Sequence, residues 1–559
     1  MRTRSLFTLL PLVASLHAYS QSTSHTPDAG SLRQQIEQQR ELPLPQAAPE
    51  PRVSPPPAAQ PHQGVSIAVK SFRIAGNTLL SSDALLASLT EFVGHELDYA
   101  GLQRASDAVS GAYRQAGWLA RVYLPKQDVS AGVITLQVVE SRFAGLRFEG
   151  QPSQRVMPEE TAAYFKAQQL SGEFLNTQAL DRALLLADDL PGVSVAGTLE
   201  PGAQDGYTAL VLQTTDEPFI YGDIGLDNTG SRSTGSDRLS ANLNFNSPGL
   251  RGELLSLSAL HTQGSDYGRI ALTVPDHHNG LRLGVSLSSM TYKVIDGPSY
   301  NSATPIRGNS GSLGIDWSYP LVRQRMGNLY FSGGLENKTF FTQDTQVRSD
   351  YASDSLRLGL SGNQFDSFMG GGANSATVQL LWGKLTDIQA HNLIDTIDRS
   401  YHKLSYSFTR QQTLTSRQSL LLSLQGQHAD QSLDSSEKFY IGGAQSVRAY
   451  PASELSGDSG HVASAEWRVQ LHQALVFSAF VDMGRVITLP ATSSDTRTHR
   501  ALFGHGLSLS WQGPKGLSTK VTWARRHGSN PQPTSTGTDG DGTLKENRFW
   551  LTASLPFSF

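Results

Sequence analysis

The sequence contains no cysteine among its 559 residues. Disulfide staples, thiolate catalysis and Cys-ligated zinc are therefore excluded. Charge is sparse as well: 17% of residues are Asp, Glu, Lys or Arg, and the net charge is −4 at neutral pH. This balance gives no general case for nucleic-acid binding, which would favour a basic face, and no nucleic-acid partner is expected. Long apolar runs are also missing, for no stretch approaches the roughly 18–20 residues of a membrane-crossing helix. What is plentiful is glycine, with 52 residues, beside many Ser, Thr, Asn and Gln. Mean hydropathy is mildly polar. A transmembrane barrel has that average too, because its strands alternate apolar and polar residues.

The first 20 residues read as a signal peptide. Arg2 and Arg4 supply the positive end, Leu6, Phe7, Leu9, Leu10, Leu12 and Val13 a short apolar run, and Ala18-Tyr19-Ser20 a cleavage site before Gln21. Residues 21–42 form an N-terminal region whose stretch 29–41 (GSLRQQIEQQREL for residues 30–42) reads as a short polar helix with Leu32 and Ile36 as its apolar positions. Such a helix has little to hold it in isolation. A Pro-rich linker follows over 43–63, extended and semi-stiff.

Residues 64–216 contain two similar units, 64–141 and 142–216. Each opens on a strand that runs into a glycine, at Gly76 and Gly150. Each then turns helical: Leu97, Leu102, Arg104 and Ala105 match Leu175, Leu180, Arg182 and Ala183, each pair 78 positions apart. Each closes on two strands. A repeat that keeps register through several features predicts two small α+β modules, ordered strand, two helices, two strands.

From residue 217 to 559 two-residue alternation replaces helical periodicity. Leu239, Ala241, Leu243 and Phe245 alternate with Ser240, Asn242 and Asn244; Ala463, Ala465, Trp467 and Val469 alternate with Ser464, Glu466 and Arg468. Such strands have an apolar side and a wet side. Eleven strand candidates start near 219, 236, 252, 265, 281, 311, 328, 353, 371, 399 and 417, and five near 461, 475, 501, 517 and 547. The pattern predicts an all-β transmembrane barrel of sixteen antiparallel strands, closed so that no edge meets lipid. In the last strand Phe549, Leu551, Ala553, Leu555, Phe557 and Phe559 share one face, and Phe559 reads as a C-terminal signal for barrel assembly.

Between the eleventh and twelfth candidates lies a long segment, 437–460, holding Val447-Arg448-Ala449-Tyr450. Two strands on comes Phe477-Ser478-Ala479-Phe480-Val481-Asp482-Met483-Gly484. Phe477, Ala479, Val481 and Met483 fall on the lipid side, so Phe480, Asp482 and Gly484 face the lumen. A carboxylate there needs a partner or water, and Arg448 on an infolding loop is the natural bidentate partner. Gly457-Asp458-Ser459-Gly460 resembles a serine-protease segment, but it stands in a barrel loop without a protease core. His277-His278 lacks a third ligand and reads as a solvated turn. No catalytic residue, metal site or cofactor is expected, and the chain is not read as an enzyme.

These motifs resemble the TpsB transporters of two-partner secretion, the haemolysin secretion/activation type. The resemblance covers the N-terminal helix, the linker, two polypeptide-transport-associated (POTRA) modules, a Val-Arg-Gly-Tyr/Phe loop, a Phe-x-Asp-x-Gly strand and the terminal Phe. It implies that Arg448 pairs with Asp482 and that the N-terminal helix occupies the channel at rest. It further implies an outer-membrane location in a Gram-negative bacterium with the modules in the periplasm, and no enzymatic activity. The implied partner is one large exoprotein with an N-terminal secretion domain, of haemolysin, adhesin, contact-dependent toxin or haem-scavenging type. The modules would capture it, and the barrel would export it unfolded. Outer-membrane lipid, the barrel-assembly machinery and a monomeric state complete the implied setting. The alternative with the same architecture is an outer-membrane assembly or insertion factor, which usually carries more modules. One departure stands out: Ala449 occupies the motif's glycine position. If that position required positive φ, alanine would cost about 1 kcal/mol or more.

Overall fold

Both modules show why their shared pattern predicts a fold. The computed structural model describes residues 27–38, 66–344, 348–387, 399–490 and 496–559. The signal-peptide and linker expectations lie outside these residues. In the first module the strands Ser71–Ala75, Val133–Glu140 and Ala120–Tyr123 form one sheet in that order, the first pair parallel and the second antiparallel. In the second, Arg142–Glu149, Tyr207–Asp216 and Val193–Pro201 repeat that order and those directions. The long helices Tyr99–Gln115 and Thr177–Asp188 are capped at equivalent positions: the side chain of Asp98 accepts from the Gly101 amide, and that of Asn176 from the Ala179 amide. The repeat residues Leu97, Leu102 and Ala105, like Leu175, Leu180 and Ala183, are buried in the two separate cores. Gly76 and Gly150 both take φ of +86°, a left-handed turn that only glycine adopts without strain.

Sixteen strands close into one antiparallel barrel. In order they are Ile220–Asp227, Arg238–Asn246, Leu254–Thr262, Ser265–Pro275, Arg282–Lys293, Arg307–Arg323, Gly327–Gln343, Arg348–Asp366, Gly372–Asp387, Arg399–Thr415, Gln418–His428, Ser459–His472, Leu475–Thr488, Thr498–Gln512, Ser518–Arg526 and Asn547–Ser558. The first and last strands pair from Thr552↔Asp227 to Ser558↔Tyr221. Phe559 and Ile220 exchange both backbone hydrogen bonds, at 2.8 and 3.2 Å, so the terminal residue pins one end of this seam. At the other end the Asn228 side chain donates to the Phe549 carbonyl and accepts from the Leu551 amide. Closure pairs the first strand with both the second and the last, so neither terminal strand is left as an edge. Phe549, Leu551, Leu555 and Phe559 are exposed on the outer face, as their alternation predicts.

The second module docks under one end of the barrel. Asp189 receives both Arg323 Nε and Nη2, at 2.8 and 2.7 Å. Arg182 donates to the Pro320 carbonyl, Arg282 to the Asp189 carbonyl, and Arg325 pairs with Asp181. His277 sits in a turn at φ +58° and is exposed. His278, read from sequence as solvated, packs edge-on against Tyr164 and reaches Glu160 at 3.3 Å. A turn that meets the module leaves the solvent that a free turn would keep.

Candidate functional site

Helix α1 (Ala29–Gln38) lies inside the barrel rather than beside it. Asp28 caps it, its carboxylate accepting from the Ser31 amide at 2.8 Å. Leu32 is buried with Tyr267, Met290, Tyr292 and Phe340 of the lumen wall, and Ile36 packs against the same group. The residues that orient the helix are polar ones that the apolar reading missed. Arg33, 2% exposed, donates from Nη2 to Ser288 Oγ and Ser312 Oγ on the fifth and sixth strands. Its Nε meets Glu37, whose other carboxylate oxygen receives Lys338 Nζ of the seventh strand. Burial alone would push the Glu37 carboxyl up, but Lys338 and Arg33 overcome it and hold the group at about 2. The i,i+4 spacing of Arg33 and Glu37 was the available signal. At Gly30 the helix backbone meets Ser435 and Ser436; an added Cβ would stand 2.9 Å from each. Asp28 also accepts from Ser435 Oγ.

Those serines belong to the long infolded segment. The sequence placed it over 437–460; the connection between the eleventh and twelfth strands runs over 429–458, because Ser459 and Gly460 already pair with Ile487 and Val486. Inside it Phe439–Ile441 and Leu455–Gly457 form a small hairpin. Lys403 fixes its base through Glu437 at 2.7 Å. Asp458, fully buried, accepts from the amides of Leu433 and Leu489, and Ser459 Oγ bonds both backbone groups of Ala429. The protease-like tetrad is thus a brace between the loop and its strands.

The hairpin tip is tied to the wall by Arg448. Its Nε and Nη2 reach Asp482 at 2.9 and 2.8 Å, and its backbone amide donates to the same carboxylate at 3.1 Å. Nη1 reaches Glu466 at 2.7 Å. The guanidinium carbon lies 3.3 Å over the centre of the Phe480 ring. Trp550 Nε1 donates to the Arg448 carbonyl at 2.8 Å. Arg448 is 7% exposed, Glu466 5% and Asp482 1%. Burial opposes the charge on Arg448, yet the two carboxylates hold it above the ordinary guanidinium range. Removing one partner of such a pair strands a buried charge at about 3–5 kcal/mol. The predicted Arg448–Asp482 contact is therefore present, with Glu466 as a second anchor that the sequence analysis did not single out. Its place in the polar set of the twelfth strand was the signal.

The remaining motif residues act by shape. A Cβ on Gly484 would stand 2.8 Å from Val447 and 3.0 Å from Ile441, so this glycine admits the fully buried Val447. Tyr450, 1% exposed, packs in the same cluster. Ala449 is not among the described non-glycine residues with positive φ, so the strain considered for this position does not arise. Its methyl instead fills a notch at Gly504, where an added Cβ would collide with it. Gly506, next on that inward face, leaves room for the Phe480 ring. Neither glycine was foreseen, although a Gly-x-Gly inside an alternating strand marks a close approach.

Residues 206–511 match the family described as haemolysin secretion/activation protein ShlB/FhaC/HecB, and residues 67–141 match the ShlB-type POTRA domain. The chain is 25% identical over 477 residues to the heme/hemopexin transporter protein HuxB of Haemophilus influenzae (strain 86-028NP), covering 82% of this chain and 83% of that one. It is 26% identical over 542 residues to the outer membrane transporter CdiB of Escherichia coli O6:K15:H31, covering 90% and 88%. Among solved structures, CdiB from Escherichia coli superposes with a TM-score of 0.67 at 20% identity, over 91% of this chain and 94% of that one. BamA from Haemophilus ducreyi lacking POTRA domains 1–3 superposes with a TM-score of 0.54 at 15% identity, over 88% and 100%, a likeness of fold. Matched over more than half its length, the chain belongs to the haemolysin secretion/activation family of TpsB-type transporters and lies in the outer membrane with POTRA modules in the periplasm.

Proposed function

We propose that this protein exports one large exoprotein partner through its barrel, unfolded, after the two periplasmic modules capture the partner's N-terminal secretion domain. The observation that carries this reading is the occupied lumen. Helix α1 and the Arg448 hairpin occupy a closed barrel and hold to its wall through hydrogen bonds and ion pairs, contacts that water or another chain can take over. Arriving cargo expels the helix, shifts the hairpin and threads the cleared lumen. Capture proceeds by strand addition to an exposed sheet edge of a module. Folding outside the cell drives export, since the periplasm offers no ATP. The protein acts without catalysis and without a cofactor, as a monomer placed in the lipid by the barrel-assembly machinery, which reads the strand ending at Phe559. The name of the relative HuxB, a heme/hemopexin transporter protein, favours a haem-scavenging exoprotein as cargo.

The test combines conductance and export. Deleting residues 29–38 is expected to raise single-channel conductance in planar bilayers. Arg448→Ala is expected to abolish appearance of the partner outside the cell while the barrel still inserts. If both variants match the wild type in pore opening and export, the plugged-pore reading fails.

A further inference from the structure

The outer wall above the lipid band carries a row of like charges that the fold alone does not call for. Lys293 and Arg307 are direct cross-strand partners at the extracellular ends of the fifth and sixth strands. Arg307 in turn faces Gln343, and Gln343 faces Arg348. All four are exposed. Partners in such a row stand about 5 Å apart, and like charges placed directly opposite destabilise a sheet. The carboxylates of the row below are offset from the cations or engaged elsewhere: Arg348 meets Asp350 at 3.8 Å, and Asp266, opposite Thr291, reaches His261 at 2.6 Å, while Arg307 donates to the neutral Gln343. Three cations within four strands make a binding edge for a multiply charged anion.

The wall beneath has the rest of an amphipathic site. Two positions below the cations stand Thr291 and Asn309, cross-strand partners, then Ser289 and Gly311. Below these a groove of about 590 Å³ opens on the outer face, flanked by Ile270, Leu287 and Leu313 and floored by Gly268 and Gly311. From Leu287 to Lys293 the strand rises roughly 20 Å, or roughly 15 Å along the membrane normal for a tilted strand. A phosphodiester headgroup such as that of phosphatidylglycerol carries one charge and leaves most of the three-cation edge unmatched. A bis-phosphorylated disaccharide headgroup matches the edge with two phosphates and offers sugar hydroxyls to the polar strip beneath it.

We propose that this strip docks a phosphorylated glycolipid of the outer leaflet, with acyl chains in the groove at Ile270, Leu287 and Leu313, sugars along Ser289, Thr291 and Asn309, and phosphates on Lys293, Arg307 and Arg348. The fifth and sixth strands also carry Ser288 and Ser312, the hydroxyls that hold Arg33 of helix α1 on the inner face. The docked lipid thus braces the wall against which the helix rests.

The full-length protein, folded in detergent micelles, is titrated with bis-phosphorylated lipid A, its dephosphorylated form and phosphatidylglycerol, and bound lipid is counted by native mass spectrometry. The wild type is expected to bind lipid A best. The triple variant Lys293→Gln, Arg307→Gln, Arg348→Gln is expected to lose on the order of 100-fold in affinity for lipid A, about fivefold per cation. Its heat-modifiable migration on gels reports the intact barrel. Dephosphorylated lipid A on the wild type reads out the same loss without any substitution. Lipid A binding that survives either change overturns the proposal, as does phosphatidylglycerol binding as tightly as lipid A and losing as much in the variant.

Discussion

At the scale of single residues, the lumen anchor rests on matched pairs of a loop side chain and a wall residue shaped to receive it. Arg448 has Asp482, Glu466 and the Phe480 ring; Val447 has Gly484; Ala449 has Gly504. The last pair explains how alanine stands at a position where glycine is the family habit. It also yields a sharp prediction. Gly504→Ala should force two methyl groups together and lower barrel stability by about 1–3 kcal/mol, the range for overpacking a dense core. Adding Ala449→Gly should restore most of the loss. Thermal unfolding of the four members of the double-mutant cycle measures the coupling, and additive effects would show that the notch does not act. Asp482 was legible because strand alternation assigns an inward face from its neighbours alone. Gly504 and Gly506 were not, because a missing side chain acquires meaning only once the opposing surface is known. Glu466 lay between: alternation faced it inward, but a single carboxylate already satisfied the pairing argument for Arg448.

At the scale of elements, the pattern located all sixteen strands, and its two largest errors in a strand start have one cause. The sixth and eighth strands begin at Arg307 and Arg348, where the alternation first appears near 311 and 353. Their outer ends rise past the lipid, so their outward residues, Arg307, Asn309, Arg348 and Asp350, become polar and the period-two contrast vanishes. Helix α1 was recognisable as a helix, but its seat was not, since Ser288, Ser312 and Lys338 are scattered across three strands. The infolded hairpin has a further tie of this dispersed kind. Glu454, buried at the tip side of the second hairpin strand, accepts from the Gly540 amide at 3.0 Å and from Asn530 of the last extracellular loop. Burial raises its carboxyl to about 7, with Asp539 and Asp541 adding to the rise against those two hydrogen bonds. The folded state therefore holds its proton more tightly than the unfolded chain does. The stability this contributes is full near pH 4.5, falls as pH rises from there to about 7, and is flat above. Hydrogen exchange at Gly540, corrected for intrinsic rates, should accelerate between pH 5 and pH 8 (on the order of tenfold or more for a shift this size). Glu454→Gln should abolish that dependence, and a variant that keeps it would assign the effect to another group.

At the scale of the whole molecule, the proposed function depends on aim: capture by the modules serves export only if they are held facing the lumen above them. The repeat in the sequence made both modules legible, yet their placement was not, because docking contacts are single polar residues on turns that carry no periodicity. Arg182 shows this well. It matches Arg104 in the repeat, but only Arg182 sits where the Pro320 carbonyl is within 2.7 Å. The bidentate Asp189–Arg323 pair is the centre of this interface, with Arg282 on the Asp189 carbonyl and Arg325–Asp181 and His278–Glu160 around it. The pair is partly exposed, at 32% and 12% of the two side chains, so it contributes about 1 kcal/mol rather than the larger sum of a buried pair. That is still about fivefold in the balance between docked and swinging modules. Asp189→Ala should leave each module folded, since this carboxylate bonds outward to the barrel. It should widen the distance distribution between spin labels placed on the helix Pro158–Gln168 and on the barrel turn near residue 325, and it should slow export without changing channel conductance. A distance distribution identical to the wild type would mean that the apolar contact of Leu190 with Gly252 and the backbone bond from Met157 to Leu250 fix the modules by themselves.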